Sequence, residues 1–237
     1  MSLSKNVAVN KPTTCSSIYY GSGPNRMVDG DVNPNFFAGH CFHGYDDSGG
    51  PNWAVVDLTD VYFVDYVDLY SRECCPERLD YFIIGLTSVN YFGPGSNVIR
   101  GDYPLCGQYK YKGAVNAKLT LKCNANLLSP YRYVIAQQPT SGPGSLTICE
   151  LEVYPAINFN FKIWRRYANL RLAGYTFLVT HASHVAECFF NCAPGLCDSV
   201  NFKPDGSLCE LNSHLKGYDQ TSLNVSPDWS FLEVQYV

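Results

Sequence analysis

The chain of 237 residues lacks the marks of most catalytic and metal-binding classes. No C-x-x-C knuckle occurs, which removes zinc ribbons and zinc fingers. There is no nucleophile elbow, no H-E-x-x-H pair and no glycine loop built to cradle phosphate, so no enzyme class is suggested. No apolar run approaches the roughly 20 residues that span a bilayer. Neither sign of charge dominates: 17 Lys and Arg stand against 21 Asp and Glu, for a net charge of −4. That balance argues against nucleic acid or an anionic membrane as the main partner. Met1-Ser2-Leu3 leads into polar Ser4-Lys5-Asn6, so no signal-peptide apolar core is present.

Cysteine, by contrast, is abundant. Eleven are dispersed at 15, 41, 74, 75, 106, 123, 149, 188, 192, 197 and 209. Dispersed cysteines without knuckles read as disulfides, and disulfides imply an oxidising compartment. A secreted, extracellular protein is expected, with its export signal removed from or left out of this sequence. The odd count leaves at least one thiol free or paired between chains.

Up to Tyr154 the sequence consists of short alternating runs broken by Gly, Pro, Asn and Asp. Ala117–Cys123 is the cleanest, with Leu119, Leu121 and Cys123 on one face and Lys118, Thr120 and Lys122 on the other. Trp53–Leu58, Phe63–Tyr70, Tyr81–Leu86, Tyr131–Gln137 and Leu146–Tyr154 also read as strands. Many strands at short spacing predict an antiparallel sandwich or barrel. The grammar changes after Pro155-Ala156, which predicts two domains, 1–155 and 156–237. In the second, Ser183 is expected to N-cap a helix carrying Val185, Cys188, Phe189 and Cys192 on one face. Strands at Ser199–Phe202 and Leu208–Leu211 follow, joined by Lys203-Pro204-Asp205-Gly206. One short helix on a small sheet is an α+β module small enough to need disulfide staples.

Three stretches of the first domain belong together: the segments Asn6–Thr14, Val28–Asp31 and Trp53–Leu58; then Ser71-Arg72-Glu73-Cys74-Cys75-Pro76-Glu77-Arg78; and finally Thr147–Tyr154. Over about residues 6–154 the chain resembles the F-type (fucose-binding) lectins, an all-β discoidin-like jelly-roll family. The resemblance implies a vicinal disulfide, Cys74–Cys75, as an apolar platform for a sugar. It also implies a histidine and two cationic donors, matched by His43, Arg72 and Arg78, with Phe36 and Phe37 as candidates for an apolar wall. Fixed charged donors suit a neutral sugar because they give direction without needing a counter-ion. The family's Arg-x-Asp is one residue short here. Counting back from Cys74 puts Ser71 at the arginine position, whereas counting along strand Phe63–Tyr70 puts Arg72 there; the strand count is preferred because sheet register is fixed. Glu73 then takes the aspartate's role.

The resemblance further implies a structural calcium. Its ligands would be main-chain oxygens of Arg26, Asp31, His40 and Cys149, with the carboxylates of Asp29 and Glu150, an oxygen-rich set that suits a hard cation. His40 stands where the family has a hydroxyl-bearing residue, which removes one oxygen. His40-Cys41-Phe42-His43 suits zinc only if Cys41 is a thiolate. The family pattern instead pairs Cys41–Cys149 and Cys106–Cys123. Residues 158–237 resemble a PAN/apple domain, through Cys188-x3-Cys192, Cys197 and Cys209, which implies Cys188–Cys209 and Cys192–Cys197. Cys15 is unexplained by either pattern.

The leading expectation is therefore a non-enzymatic, calcium-stabilised lectin for glycans bearing L-fucose, joined to a PAN module with a protein or glycan ligand of its own. An oligomer is compatible with this. The alternative is a discoidin-like adhesion protein that binds protein or lipid without sugar, in which Tyr91-Phe92 would form an apolar loop spike.

Overall fold

A computed structural model of the chain describes residues 5–45, 52–90, 92, 105–123, 129–156, 162–192, 197–214 and 217–236. It is mostly β. The strands of the first part are β1 (Thr13–Cys15), β2 (Phe42–His43), β3 (Trp53–Tyr62), β4 (Val64–Tyr70), β5 (Ile83–Thr87), β6 (Leu105–Gln108), β7 (Lys118–Lys122), β8 (Tyr131–Gln137), β9 (Thr147–Ile148) and β10 (Glu150–Pro155). They form a five-stranded sheet, β1-β3-β8-β5-β6, a three-stranded sheet, β10-β4-β7, and the small pair β2-β9, all antiparallel.

The core lies between the two larger sheets. Val56 and Leu58 of β3, Ile84 and Leu86 of β5 and Val134 of β8 share one cluster with Val67, Leu69, Leu119, Leu121, Leu151 and Val153 from the other sheet. β7 shows why the alternation works. Leu119 and Leu121 are buried while Lys118, Thr120 and Lys122 are exposed, and each buried leucine is stabilised by about 1.5–3 kcal/mol. β3 does not alternate, because both of its faces are covered. Trp53 and Val55 point to the outer side of the sheet, where they form a second cluster with Tyr133, Ile135 and Phe92.

The second part holds β11 (Lys162–Leu172), β12 (Thr176–His181), helix α1 (Val185–Asn191), β13 (Ser199–Lys203), β14 (Leu208–Asn212) and β15 (Leu223–Tyr236), with sheet order β11-β15-β13-β14-β12. β13 and β14 form the expected hairpin. Helix α1 presents Cys188, Val185, Phe189 and Cys192 to a cluster of its own. Its cap differs from expectation. His184 is the N-cap and its Nδ1 accepts from Glu187 N at 3.3 Å. Ser183 instead spends its N–H and hydroxyl on the Glu187 carboxylate, at 2.8 and 3.0 Å.

The two longest strands, β11 and β15, were absent from the sequence reading. Their pairing jumps from Ala168↔Ser230 to Leu170↔Val225, so residues 226–229 bulge outward. Pro227 is tolerated there because a bulge requires no ladder donor, but the same bulge breaks the alternation that would have marked the strand.

Five disulfides brace the chain: Cys41–Cys149, Cys74–Cys75, Cys106–Cys123, Cys188–Cys209 and Cys192–Cys197. Cys15 is free. The two parts touch through Gln108, whose amide donates to Tyr218 O at 3.1 Å and accepts from Tyr218 N at 3.0 Å. Lys110 pairs with Glu233 beside this contact.

Candidate functional site

The β2–β9 pair brings distant residues together. It sets His43 opposite Thr147. The imidazole is only 4% exposed. Its Nδ1 donates to Gly44 O at 2.5 Å, which leaves Nε2 as an acceptor. Arg78 fills that role, with Nη1 2.6 Å from His43 Nε2 and 3.3 Å from Thr147 Oγ1. The imidazole is therefore neutral and works as a brace for the guanidinium.

Arg78 is aimed by the segment before it. Cys75 has φ +60°, and a 3-10 turn, Pro76–Leu79, starts immediately after it. Arg78 N donates back to Cys75 O at 3.3 Å, and Gln138 Nε2 holds Arg78 O at 3.0 Å. The Cys74–Cys75 pair, itself partly exposed, thus sits one turn ahead of the cation.

Arg72 is 5% exposed, with its guanidinium carbon 4.3 Å from the centre of the Phe36 ring and 5.7 Å from that of Phe37. Phe36 in turn lies 5.1 Å from the His43 ring, so one phenylalanine touches both groups. Glu73 connects the two loops: Oε1 accepts from Arg72 Nη2 at 3.2 Å and Oε2 accepts from Phe36 N at 3.1 Å. Burial would raise the Glu73 pKa, but these hydrogen bonds, its own backbone N–H and the Arg72 charge together hold it below the ordinary value. Ser71 turns elsewhere, its hydroxyl donating to Ala114 O at 2.5 Å and accepting from Ala117 N at 2.9 Å. Phe37 is 86% exposed.

The sequence reading missed Thr147 as a partner of Arg78 and Tyr19, whose ring lies 4.7 Å from that of His43. Thr147 becomes visible only once β2 and β9 pair. Tyr19-Tyr20 before Gly21 was an aromatic signal available in the text.

The candidate calcium residues gather around the turn at Gly30. Glu150 is fully buried, and both of its oxygens lie 3.2–3.3 Å from Gly30 N. Burial above all, with the nearby charges of Asp29, Glu152 and Asp31, pushes its carboxyl up to about 8, against the opposing effect of Gly30 N. Asp31 is held low by the Asn33 N–H and by His40, whose Nδ1 is 2.6 Å from Asp31 Oδ2. Arg26 lies in the 3-10 turn Pro24–Met27, and Cys149 is buried in its disulfide with Cys41. Among the described residues, no group of three or more His, Cys, Asp or Glu side chains is arranged to hold a metal ion. A cation here would depend on main-chain oxygens alongside the Asp29 and Glu150 carboxylates, and a buried carboxylate near two others matches that chemistry.

One other sequence reading changes. Phe92 is not a loop spike, because its ring packs on Tyr133 at 5.3 Å and Trp53 at 6.1 Å, where it covers apolar sheet. Tyr91 lies outside the described residues. A Ser199–His214 contact of 3.3 Å beside Asp198 looks like a hydrolytic grouping, but Ser199 is fully buried and offers no nucleophile to a substrate.

No family model and no curated protein matches the chain. Among solved structures it is similar to a Streptococcus pneumoniae fucose-binding module, with 28% identity, TM-score 0.49, and 65% of this chain and 96% of that one covered. It is also similar to the lectin domain of lectinolysin complexed with Lewis b antigen (24% identity, TM-score 0.49, 64% and 97% covered). A third similar structure is an F-lectin (fucolectin) from striped bass, Morone saxatilis, serum, at 17% identity and TM-score 0.54, with 99% of this chain and 94% of that one covered. At that identity the likeness to the bass protein is one of fold, a lectin-like arrangement of β-sheets.

Proposed function

We propose that the chain is a secreted, non-enzymatic lectin that binds glycans bearing L-fucose. One observation carries this reading: Arg78, braced by neutral His43 and by Thr147, stands one tight turn beyond the Cys74–Cys75 platform. A sugar hydroxyl or ring oxygen accepts from a guanidinium held in this way, each such bond contributing about 1.5–3 kcal/mol. The disulfide, Phe36 and Phe37 offer apolar surface for the deoxy methyl group. Arg72 supports the same wall from beneath Phe36, with Glu73 fixing its position. Five disulfides fit an oxidising, extracellular setting, and no helix among the described residues is long and apolar enough to cross a membrane.

Calcium in the Arg26–His40 loops, with Asp29, Asp31, Cys149 and Glu150, would act structurally, supplying the positive charge that a buried carboxylate lacks. Residues 156–237 are proposed as a separate PAN/apple-like adhesion module with its own protein or glycan ligand. A separate apolar cluster, a helix tied to β14 by Cys188–Cys209, and the β13–β14 hairpin support that reading. A glycan array read with and without EDTA tests the whole proposal. Selective signal on fucosylated glycans is expected, and an array without such signal overturns it.

A further inference from the structure

Beyond the Arg78 centre, a second aromatic flank lies beside His43, built by another segment. Tyr19 N donates to His43 O at 2.8 Å, and His43 N donates to Ser22 O at 3.1 Å. The stretch from Tyr19 to Ser22 is therefore clamped along the backbone of the site histidine. Tyr19 lies against the imidazole, and from it the surface continues to Tyr20, at a ring distance of 4.5 Å, and to Tyr45, at 5.9 Å. Tyr45 is half exposed and Tyr20 is 86% exposed.

Tyr20 stands out on two counts. Its φ is +45°, in the left-handed region that a bulky side chain pays strain to occupy, and Gly21 follows at +69°. The ring so held faces solvent, with the edge of Tyr19 as its contact. Glycine, with no Cβ, would make the same turn without that strain and expose less apolar surface.

The geometry points to a second sugar subsite, in which Tyr20, with Tyr19 and Tyr45, receives a pyranose linked to the one held at Arg78. Tyrosine suits that ligand, since its ring face packs on the apolar C–H face of a sugar while its hydroxyl serves the polar rim. The chain would then recognise an oligosaccharide in preference to a terminal monosaccharide. This inference rests on the fucose reading above.

The test is calorimetric titration of the wild type, Tyr20→Ala and Tyr20→Phe with methyl α-L-fucoside and with a panel of fucosylated oligosaccharides that includes the Lewis b tetrasaccharide. We expect the best oligosaccharide to bind the wild type more tightly than methyl fucoside. Tyr20→Ala should weaken that oligosaccharide roughly tenfold while leaving methyl fucoside within about twofold, and Tyr20→Phe should retain most of the affinity. If methyl fucoside binds but no oligosaccharide binds better, or Tyr20→Ala affects neither ligand, the subsite is overturned and the fucose reading stands. If methyl fucoside and every oligosaccharide fail to bind the wild type, the fucose reading falls and takes the subsite with it. Circular dichroism of Tyr20→Ala separates lost binding from lost fold.

Discussion

Arg78 Nη1 lies 2.6 Å from His43 Nε2, a contact that only a neutral imidazole can accept. The second imidazole nitrogen is committed to Gly44 O, so protonation would set a cation against a cation with no tautomer to relieve it.

Fucose is therefore expected to raise the melting temperature, since a ligand at a hundred times its dissociation constant adds about 2.7 kcal/mol to native stability. His43→Ala and Arg78→Ala should abolish the shift while the fold survives. A thermal scan that shows the same fucose shift in either variant contradicts the assignment.

Arg72→Ala should weaken fucose binding by about an order of magnitude, because the Phe36 wall loses the guanidinium stacked beneath it. Ser71→Ala should instead cost about 1 kcal/mol of stability, because its buried hydroxyl serves Ala114 and Ala117. Titrating both variants with fucose decides the register, and binding lost only in Ser71→Ala would reverse it.

Glu73→Gln should release Arg72 and the Phe36 loop together, again weakening binding about tenfold. Its pKa is depressed in the folded protein, so the carboxylate's contribution is fully present above the ordinary carboxylate range. It is lost only as pH falls through the lower folded value. The affinity gap between wild type and Glu73→Gln should therefore be constant from neutral pH to about 5 and close only in stronger acid. A gap that closes near neutrality would point to another group.

Removing calcium with EDTA should lower the melting temperature, and added calcium should restore it, because Glu150 is buried without a cationic side chain to pair with among its described contacts. Glu150→Gln should melt at the same temperature with and without EDTA. Elemental analysis that finds no metal, together with an unchanged melt, removes calcium from the account.

Replacing Cys41 and Cys149 by alanine should cost about 5 kcal/mol, because the bridge closes a loop of 108 residues. Cys15 should resist iodoacetamide in the native protein at pH 8. Burial, partly offset by the Ser17 N–H, pushes its thiol up to about 11, so the reactive thiolate is scarce. Rapid labelling of native Cys15 would contradict this.

Several strands were legible in the text. β7 lies where the period-2 pattern put it, because one face meets the core and the periodicity records it; β8 lies at its expected bounds and β4 starts one residue late, both as β-branched and aromatic runs and not as clean alternations. Where both faces are covered, or a bulge intervenes, the pattern fails. Thus β3 runs four residues beyond its apolar core, and β11 and β15 were not read at all. Leu146–Tyr154 read as one strand, yet it divides at Cys149, whose N–H goes to Tyr70 O while its sulfur is bridged to Cys41.

The same division runs through the site. The resemblance of the residue order to the F-type lectin motif singled out His43, Arg72, Cys74, Cys75 and Arg78, since charge, thiol and imidazole are properties of single residues. Contact between them belongs to the fold. Thr147 reaches Arg78 only because β9 pairs with β2, and Glu73 grips the Phe36 loop across 37 positions of sequence. Counting along the strand favoured Arg72 over Ser71 as the second cationic donor. In the fold the segment at 114–117 takes up the serine hydroxyl, while the arginine stacks on the phenylalanines. Sequence determines which chemistry a residue carries, whereas only tertiary pairing sets the few ångströms over which hydrogen bonds act.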